Sequence, residues 1–383
     1  MKERIARIIG EYDAQGVHRT GTDVDLQSAD WLAEEVRALG LEPQQDRFEF
    51  ERVDLGDNRL TLGQLEIEGV PMYDGLFTDT NGVEGRLGAI GSDAEIGVAL
   101  VSSRGGGEAH RRFVAARGEE GGHAALVVVT DLSFPPGGVA IINAERFTAP
   151  VGPPVLQVPN DHWPAIEQAL KDGGRGTVCV DNRHLPAKGI NVHGRVAGTN
   201  PALAPLVVMT PRSGWWSCAS ERGGGIAVWL EVLRDLAGAQ PERDVSFTAN
   251  TGHELGHTGL DHFLDARTDL VAGAHIWIHL GANFVASQGG APRLQYSDDN
   301  ARSTFAECMA AEGVAPASEA AVGARPGGES RNIHDAGGRF VSIVGGNALF
   351  HHPDDTFPTA VDLDAAERWA KVFVRATRDF CRG

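Results

Sequence analysis

Apolar positions along this chain follow two rhythms. Residues 29–39 (ADWLAEEVRAL) set Trp31, Leu32, Val36 and Leu39 at helical spacing, and Gly40 follows as a stop. The next segment, RFEFERVDL, alternates large apolar with charged residues, the period of a strand. Between about 55 and 185 the texture changes to short apolar runs (VALVSS, AALVVVTD, PVLQVP) broken by Gly and Pro clusters, which predicts a small α/β or β-rich unit. From Asn191 onward strand-like and helix-like runs alternate: INVHGRV, PLVVMT, the helical GGGIAVWLEVLRDLAGA, DVSFTAN, a further helix, then AHIWIHL. That order predicts parallel strands joined by crossover helices, hence an α/β fold with a doubly wound, mostly parallel sheet flanked by helices. The expected division is a main unit of residues 1–54 and 186–383, interrupted by an insert of residues 55–185. GARPGGES, at 323–330, reads as a loop.

In such sheets ligands bind beyond the carboxyl ends of the strands, so the residues just after each strand carry the candidate chemistry. After PLVVM stand Thr210, Pro211, Arg212 and Ser213, with Trp215 and Trp216 close behind; Glu221 precedes the next helix. His253, Glu254 and His257 follow DVSFTANTG, His279 follows AHIWI, and His351, His352, Asp354 and Asp355 lie near the C-terminus. Imidazoles and carboxylates gathered on one sheet edge suit a divalent metal of mixed nitrogen and oxygen ligation. Each residue also has a plainer role open to it: a core histidine for His279, a helix-start partner for Glu221, a wall for the two tryptophans, surface ion pairs for Arg212 and Arg331. HELGH at 253–257 fits H-E-x-x-H, but that motif needs both histidines inside one helix. Here a strand and Thr251-Gly252 lead straight into His253, which argues against it.

Charge narrows the partners. The 383 residues carry 34 Lys+Arg against 52 Asp+Glu, a formal charge of −18, with 42% hydrophobic residues. A strongly acidic surface repels phosphate backbones and anionic headgroups, so the expected partner is a small molecule or short peptide, not nucleic acid or membrane. The charged start MKERIARIIGEY lacks an apolar signal run and no stretch is long and apolar enough to span a bilayer, so a soluble cytoplasmic protein is expected. Cys179, Cys218, Cys308 and Cys381 are far apart, which fits reduced packing residues.

The order of segments resembles the co-catalytic zinc aminopeptidases, with glutaminyl cyclases as relatives. HRTGT at 18–22 with Asp25, NVHGRVAGTNPALAPLVVMT, ERGGGIAVWLEVLRDLA, TANTGHELGHTGLDHFL and FHHPDDTF stand in the family's order. Residues of about 55 to 185 resemble the protease-associated domain often inserted there. By that resemblance the first metal histidine and its orienting aspartate fall on Thr210 and Arg212, the bridging aspartate on Glu221, the general-base glutamate on His253 and the second-site aspartate on His279. Glu254 and His351 alone keep the family's ligand type. Two dications about 3.5 to 4 Å apart need several anionic ligands, so one metal is expected in place of two. Zinc held by Glu221, Glu254 and His351 is the first reading, and Fe, Mn, Ni or zinc on His253, His279 and Glu254 the alternative. The resemblance implies a hydrolase attacking an amide or peptide-like bond, with His253 as base or ligand and His279 and Arg212 beside the reacting groups. Trp215, Trp216 and Arg331 would hold a substrate bearing a carboxylate and an apolar part. A catalytically inactive binding relative and a non-hydrolytic metal enzyme are the rivals. The insert could roof the site, limit substrate size or mediate a homo-oligomer.

Overall fold

The computed structural model describes residues 1–118 and 121–383. Helices α1 (Lys2–Ala14) and α2 (Asp23–Arg37) open the chain. The Thr22 hydroxyl caps α2 by accepting from the Asp25 amide, and the helix buries Leu32, Ala33 and Val36. The main strands are β1 (Gln44–Leu62), β2 (Val83–Ala89), β3 (Ile96–Val101), β4 (Ala125–Thr130), β5 (Val155–Val158), β6 (Arg175–Val196), β7 (Leu206–Pro211), β8 (Val245–Asn250), β9 (Ile276–Leu280), β10 (Ala291–Tyr296) and β11 (Phe340–Gly346). Helix α3 (Gly224–Gly238) joins β7 to β8, α4 (Thr258–Asp265) lies between β8 and β9, and α5 (Leu363–Phe380) closes the fold.

The sheet runs β10-β11-β9-β7-β8-β6-β2-β3-β4-β5. Strands β11, β9, β7 and β8 are mutually parallel, as are β2 through β5. Between the two parallel groups β6 pairs antiparallel with β8, with β2 and with β1. The β1–β6 ribbon is continuous from Gln44↔His193 to Thr61↔Thr177, with one irregularity at Leu55/Asp57. The chain therefore passes from the main sheet to the 55–185 segment inside paired strands, without a free linker.

Strands β7 and β9 are buried along their whole length, which is why they read as unbroken apolar runs. Helix α3 is nearly all buried, because α1 and α5 cover its outer side. Trp229, Phe247, Ile278 and Phe373 lie in the main core, and Leu60, Ile96, Val127 and Val178 in a second core on the insert side. Each such side chain contributes about 1.5–3 kcal/mol by leaving water. The glycines that open α3 have a positional reason. A Cβ on Gly225 would stand 3.0 Å from Thr210 Oγ1 and 3.2 Å from the Leu280 carbonyl, so only a bare backbone lets the helix start come this close to the ends of β7 and β9. Among the described residues no helix is long and apolar enough to cross a membrane.

Candidate active site

Before α3 the backbone makes a π-helical turn, Ala219–Gly223, entered through Cys218 in a left-handed conformation. Asp355 holds this turn: its carbonyl accepts from the Ala219 amide, and its carboxylate accepts from the Ser220 and Glu221 amides at 3.0 Å each. Burial, with the nearby Glu221 charge, pushes Asp355 up to about 7. The widened turn presents consecutive side chains, Glu221 and Arg222, to the interior, and both are fully buried. Such turns occur often at functional sites. Backbone strain gathers here as well. Cys218, His257, Asn283 and His351 are the non-glycine residues with positive φ, between 57° and 70°, among those described, and all four border this region.

Glu221 is the meeting point. Its Oε1 lies 3.2 Å from His351 Nε2 and 2.7 Å from Arg222 Nη2. His351 Nδ1 is 2.6 Å from the Ile141 carbonyl, which can only accept, so Nδ1 carries the proton and Nε2 is the atom turned to Glu221. Burial alone would raise the Glu221 pKa, but Arg222 and His351 outweigh it and hold it at about 2.

A cavity of about 340 Å³ opens at the carboxyl ends of β8, β9 and β11. His253, His257 and His279 line it from the main sheet, with Asn283, Arg331 and Phe350. Arg104, Asn143 and Glu145 of the insert segment complete the wall. His257 Nδ1 pairs with Asn332 Oδ1 at 2.8 Å and His279 Nδ1 with Ser342 Oγ at 2.9 Å. Burial, with the neighbouring cations and imidazoles, lowers His257 to about 4 and His279 to about 3, and drives His253 well below its ordinary value. Three neutral imidazoles thus face one space. Behind them His253 Nδ1 lies 3.5 Å from Glu329 Oε1, and burial pushes that carboxyl up to about 8 despite Arg222.

Several expected site residues lie elsewhere. Arg212 is fully buried and points away from the cavity, pairing with Asp25 at 2.9 Å and donating to the Asp25 and Ile190 carbonyls. The carboxylate of Glu254 is enclosed: Oε1 accepts from the Thr20 amide and hydroxyl at 2.9 and 2.6 Å, and Oε2 from the Ser213 hydroxyl at 2.6 Å. Trp215 is buried, donating to Asn143 Oδ1 and packing edge-on against Tyr73. Trp216 donates to the His351 carbonyl at 2.9 Å, so it supports that strained residue from behind. Arg331 does reach the cavity, paired there with Glu145 at 2.8 Å. HELGH is not one helix: His253–Leu255 is a short 3₁₀ turn, Gly256 and His257 are left-handed, and α4 starts at Thr258. Three residues of the site were not singled out from sequence for the positions they hold: Arg222, Glu329 and, as a cavity wall, His257. The signal for Arg222 was a charged residue next to Glu221 just before a helix whose first seven residues are apolar.

The metal expected from the resemblance finds no assembled ligand set. Among the described residues no three His, Cys, Asp or Glu side chains stand together as a metal site. Glu254 spends its lone pairs on Thr20 and Ser213 in both proposed sets. On Glu221 a guanidinium already stands at 2.7 Å. Like unit charges about 4 Å apart repel by about 4 kcal/mol at the effective dielectric of about 20 typical of proteins, and a dication more. The residues present do not fit the group as they stand.

The mixed α/β fold, a mostly parallel sheet flanked by helices, matches zinc-aminopeptidase-like structures. Residues 208–377 match the model of peptidase family M28. A zinc aminopeptidase from Bacillus subtilis shares the fold with a TM-score of 0.77 at 15% identity, over 99% of this chain and 95% of that one. A peptidase M28 precursor from Shewanella amazonensis SB2B gives 0.76 at 15% identity, over 100% and 96%. A glutaminyl cyclase from Fimbriiglobus ruber gives 0.54 at 10% identity, over 100% and 96%. Comparison with curated protein sequences returns no match. The match to peptidase family M28 over residues 208–377 supports metal-dependent peptide hydrolysis in general.

Proposed function

We propose that the chain hydrolyses an amide or peptide-like bond of a small substrate held in the histidine-lined cavity. The observation that carries this reading is the His253–Glu329 pair: an imidazole on the cavity wall, backed at 3.5 Å by a buried carboxyl. Such a pair can take a proton from a water molecule and return it. Water adds to the carbonyl carbon as His253 accepts its proton; the C–N bond then breaks and the proton goes to the leaving nitrogen, giving a carboxylic acid and an amine. The cavity volume of about 340 Å³ suits a dipeptide or N-acyl amino acid. Arg331 at its wall suits a substrate carboxylate.

A second reading, a ligand-binding relative without turnover, is favoured by one observation. Arg222 sits on Glu221, the position where the resemblance places a bridging ligand. A panel of dipeptides, N-acyl amino acids and small amides separates the two, assayed with chelator and again with added Zn, Mn, Fe or Ni. Turnover that His253→Gln abolishes while binding persists supports hydrolysis. Saturable binding of a panel member with no turnover under any condition supports the binding role.

A further inference from the structure

We infer that the Arg222 guanidinium supplies from within the chain the positive charge that Glu221 and His351 would otherwise take from a divalent ion, so that this M28 centre holds together without metal. The inference goes beyond the hydrolytic reading and stands or falls separately from it. Three observations carry it. First, Arg222 is fixed in place: its side chain is fully buried, Nε donates to the Ser213 carbonyl at 2.7 Å, and Nη2 stands 2.7 Å from Glu221 Oε1. Second, Glu221 and His351 have the makings of a ligand pair. The oxygen and nitrogen lie 3.2 Å apart, the far ring nitrogen is anchored on a carbonyl, and neither facing atom has a hydrogen bond of ordinary geometry within the protein. The cation beside them is the guanidinium. Third, two of the other altered positions, Thr210 and Arg212, are closed by partners within the chain. Thr210 Oγ1 donates to the Leu280 carbonyl at 2.9 Å, and Arg212 is spent on Asp25. Thr210 and Arg212 are thus satisfied by internal partners, and at Glu221, whose oxygens lack a hydrogen bond of ordinary geometry, the charge is met by the guanidinium.

The test is metal content and metal-dependent stability, measured without reference to turnover. Wild-type protein purified without added metal should hold well under one equivalent of Zn, Mn, Fe or Ni by elemental analysis. Its melting temperature should not move with chelator or with added zinc. Arg222→Asn removes the charge and leaves Glu221 and His351 free to share an ion, so zinc should bind at least about tenfold tighter by calorimetry than to wild type. That gain should vanish in Arg222→Asn/His351→Ala and should not occur in Arg222→Lys, which keeps the charge. A wild type that carries near-stoichiometric metal, removed by chelator with a fall in melting temperature, overturns the inference; so does an Arg222→Asn protein that folds and binds zinc no better. If Arg222→Asn does not fold, the wild-type metal content and melting curve decide alone. Turnover by metal-free protein agrees with both readings. Turnover that needs a stoichiometric ion sinks this one and leaves hydrolysis standing, whereas no metal and no turnover does the reverse.

Discussion

Arg212 and Asp25 form an ion pair, Nη1 to Oδ1 at 2.9 Å, with neither side chain exposed. The pair ties the start of α2 to the end of β7, and Asp25 also accepts from the Gly21 amide and the Thr251 hydroxyl. Breaking a buried pair on one side strands the other charge, so Arg212→Met should cost about 3–5 kcal/mol in denaturant unfolding. Arg212→Met/Asp25→Asn should recover part of that loss. Kinetic constants per folded molecule should change little; a collapse of turnover at unchanged stability would return Arg212 to the chemistry.

Glu254 has a comparable structural duty. Its two oxygens hold the Thr20 loop against Ser213, and the same two hydroxyls also accept from the Gly252 amide that leads into His253. Ser213→Ala removes one donor from a buried carboxylate, which costs about 1.5–3 kcal/mol. The measurement is the urea midpoint. An unchanged midpoint would mean that the carboxylate does not depend on this contact.

How far sequence reached can be read from particular residues. The uninterrupted LVVM and IWI runs announced strands buried on both faces, and strands alternating with helices announced their parallel order; both depend on local pattern, which sequence displays. The same rule drew attention to one end of the sheet, where His253 and His279 line a cavity and His351 faces Glu221. The direction each side chain takes did not follow. Arg212 and Glu254 belong to buried contacts with Asp25 and Thr20, residues about 190 and 230 positions away, and no local spacing reports such a pairing. Glu329 lies in a glycine-rich loop whose composition promised only a connection. Arg222 depends on a π turn held by Asp355, 134 residues from Glu221.

Acid should unfold this protein through its buried imidazoles. Burial first, with neighbouring cations, lowers His18 and His279 to about 3. Free histidine in the unfolded chain titrates near 6.5. Between about 3 and 6.5 the folded state therefore binds fewer protons than the unfolded one, and stability falls as pH drops through that window. From pH 7 to pH 5 each such residue should cost about 2 kcal/mol. Melting temperature against pH checks this, and His279→Gln should flatten the slope. A melting temperature level from pH 7 to 5 would contradict these shifts.

Gly256 links His253 to His257 with φ of +72°, and a Cβ there would meet the Glu145 carbonyl at 2.9 Å. Gly256→Ala therefore suffers both a left-handed backbone, costing about 1–2 kcal/mol, and a clash with the insert segment. The substitution should displace the two histidines and lower kcat/KM by more than the loss of folded protein explains. Gly313→Ala, also left-handed at +62° but with nothing within 4 Å, serves as the control for backbone strain alone. Equal losses in the two variants would show that the close approach to Glu145 has no bearing on the cavity.

Arg331 provides the sharpest test of substrate class. It borders the cavity and pairs with Glu145 at 2.8 Å, but the two side chains are 28% and 49% exposed. An exposed pair of this kind is worth about 0–1 kcal/mol. Exchanging Glu145 for a substrate carboxylate therefore costs little, and a bidentate guanidinium contact inside a partly closed cavity returns more. Arg331→Ala should raise KM for free-acid dipeptides by about tenfold or more while leaving kcat nearly unchanged, since the contact is made equally in ground and transition states. Amide-capped dipeptides, which lack the carboxylate, should show no such change. If both substrate types lose equally, or if kcat falls and KM stays, Arg331 shapes the cavity wall and does not read the carboxylate.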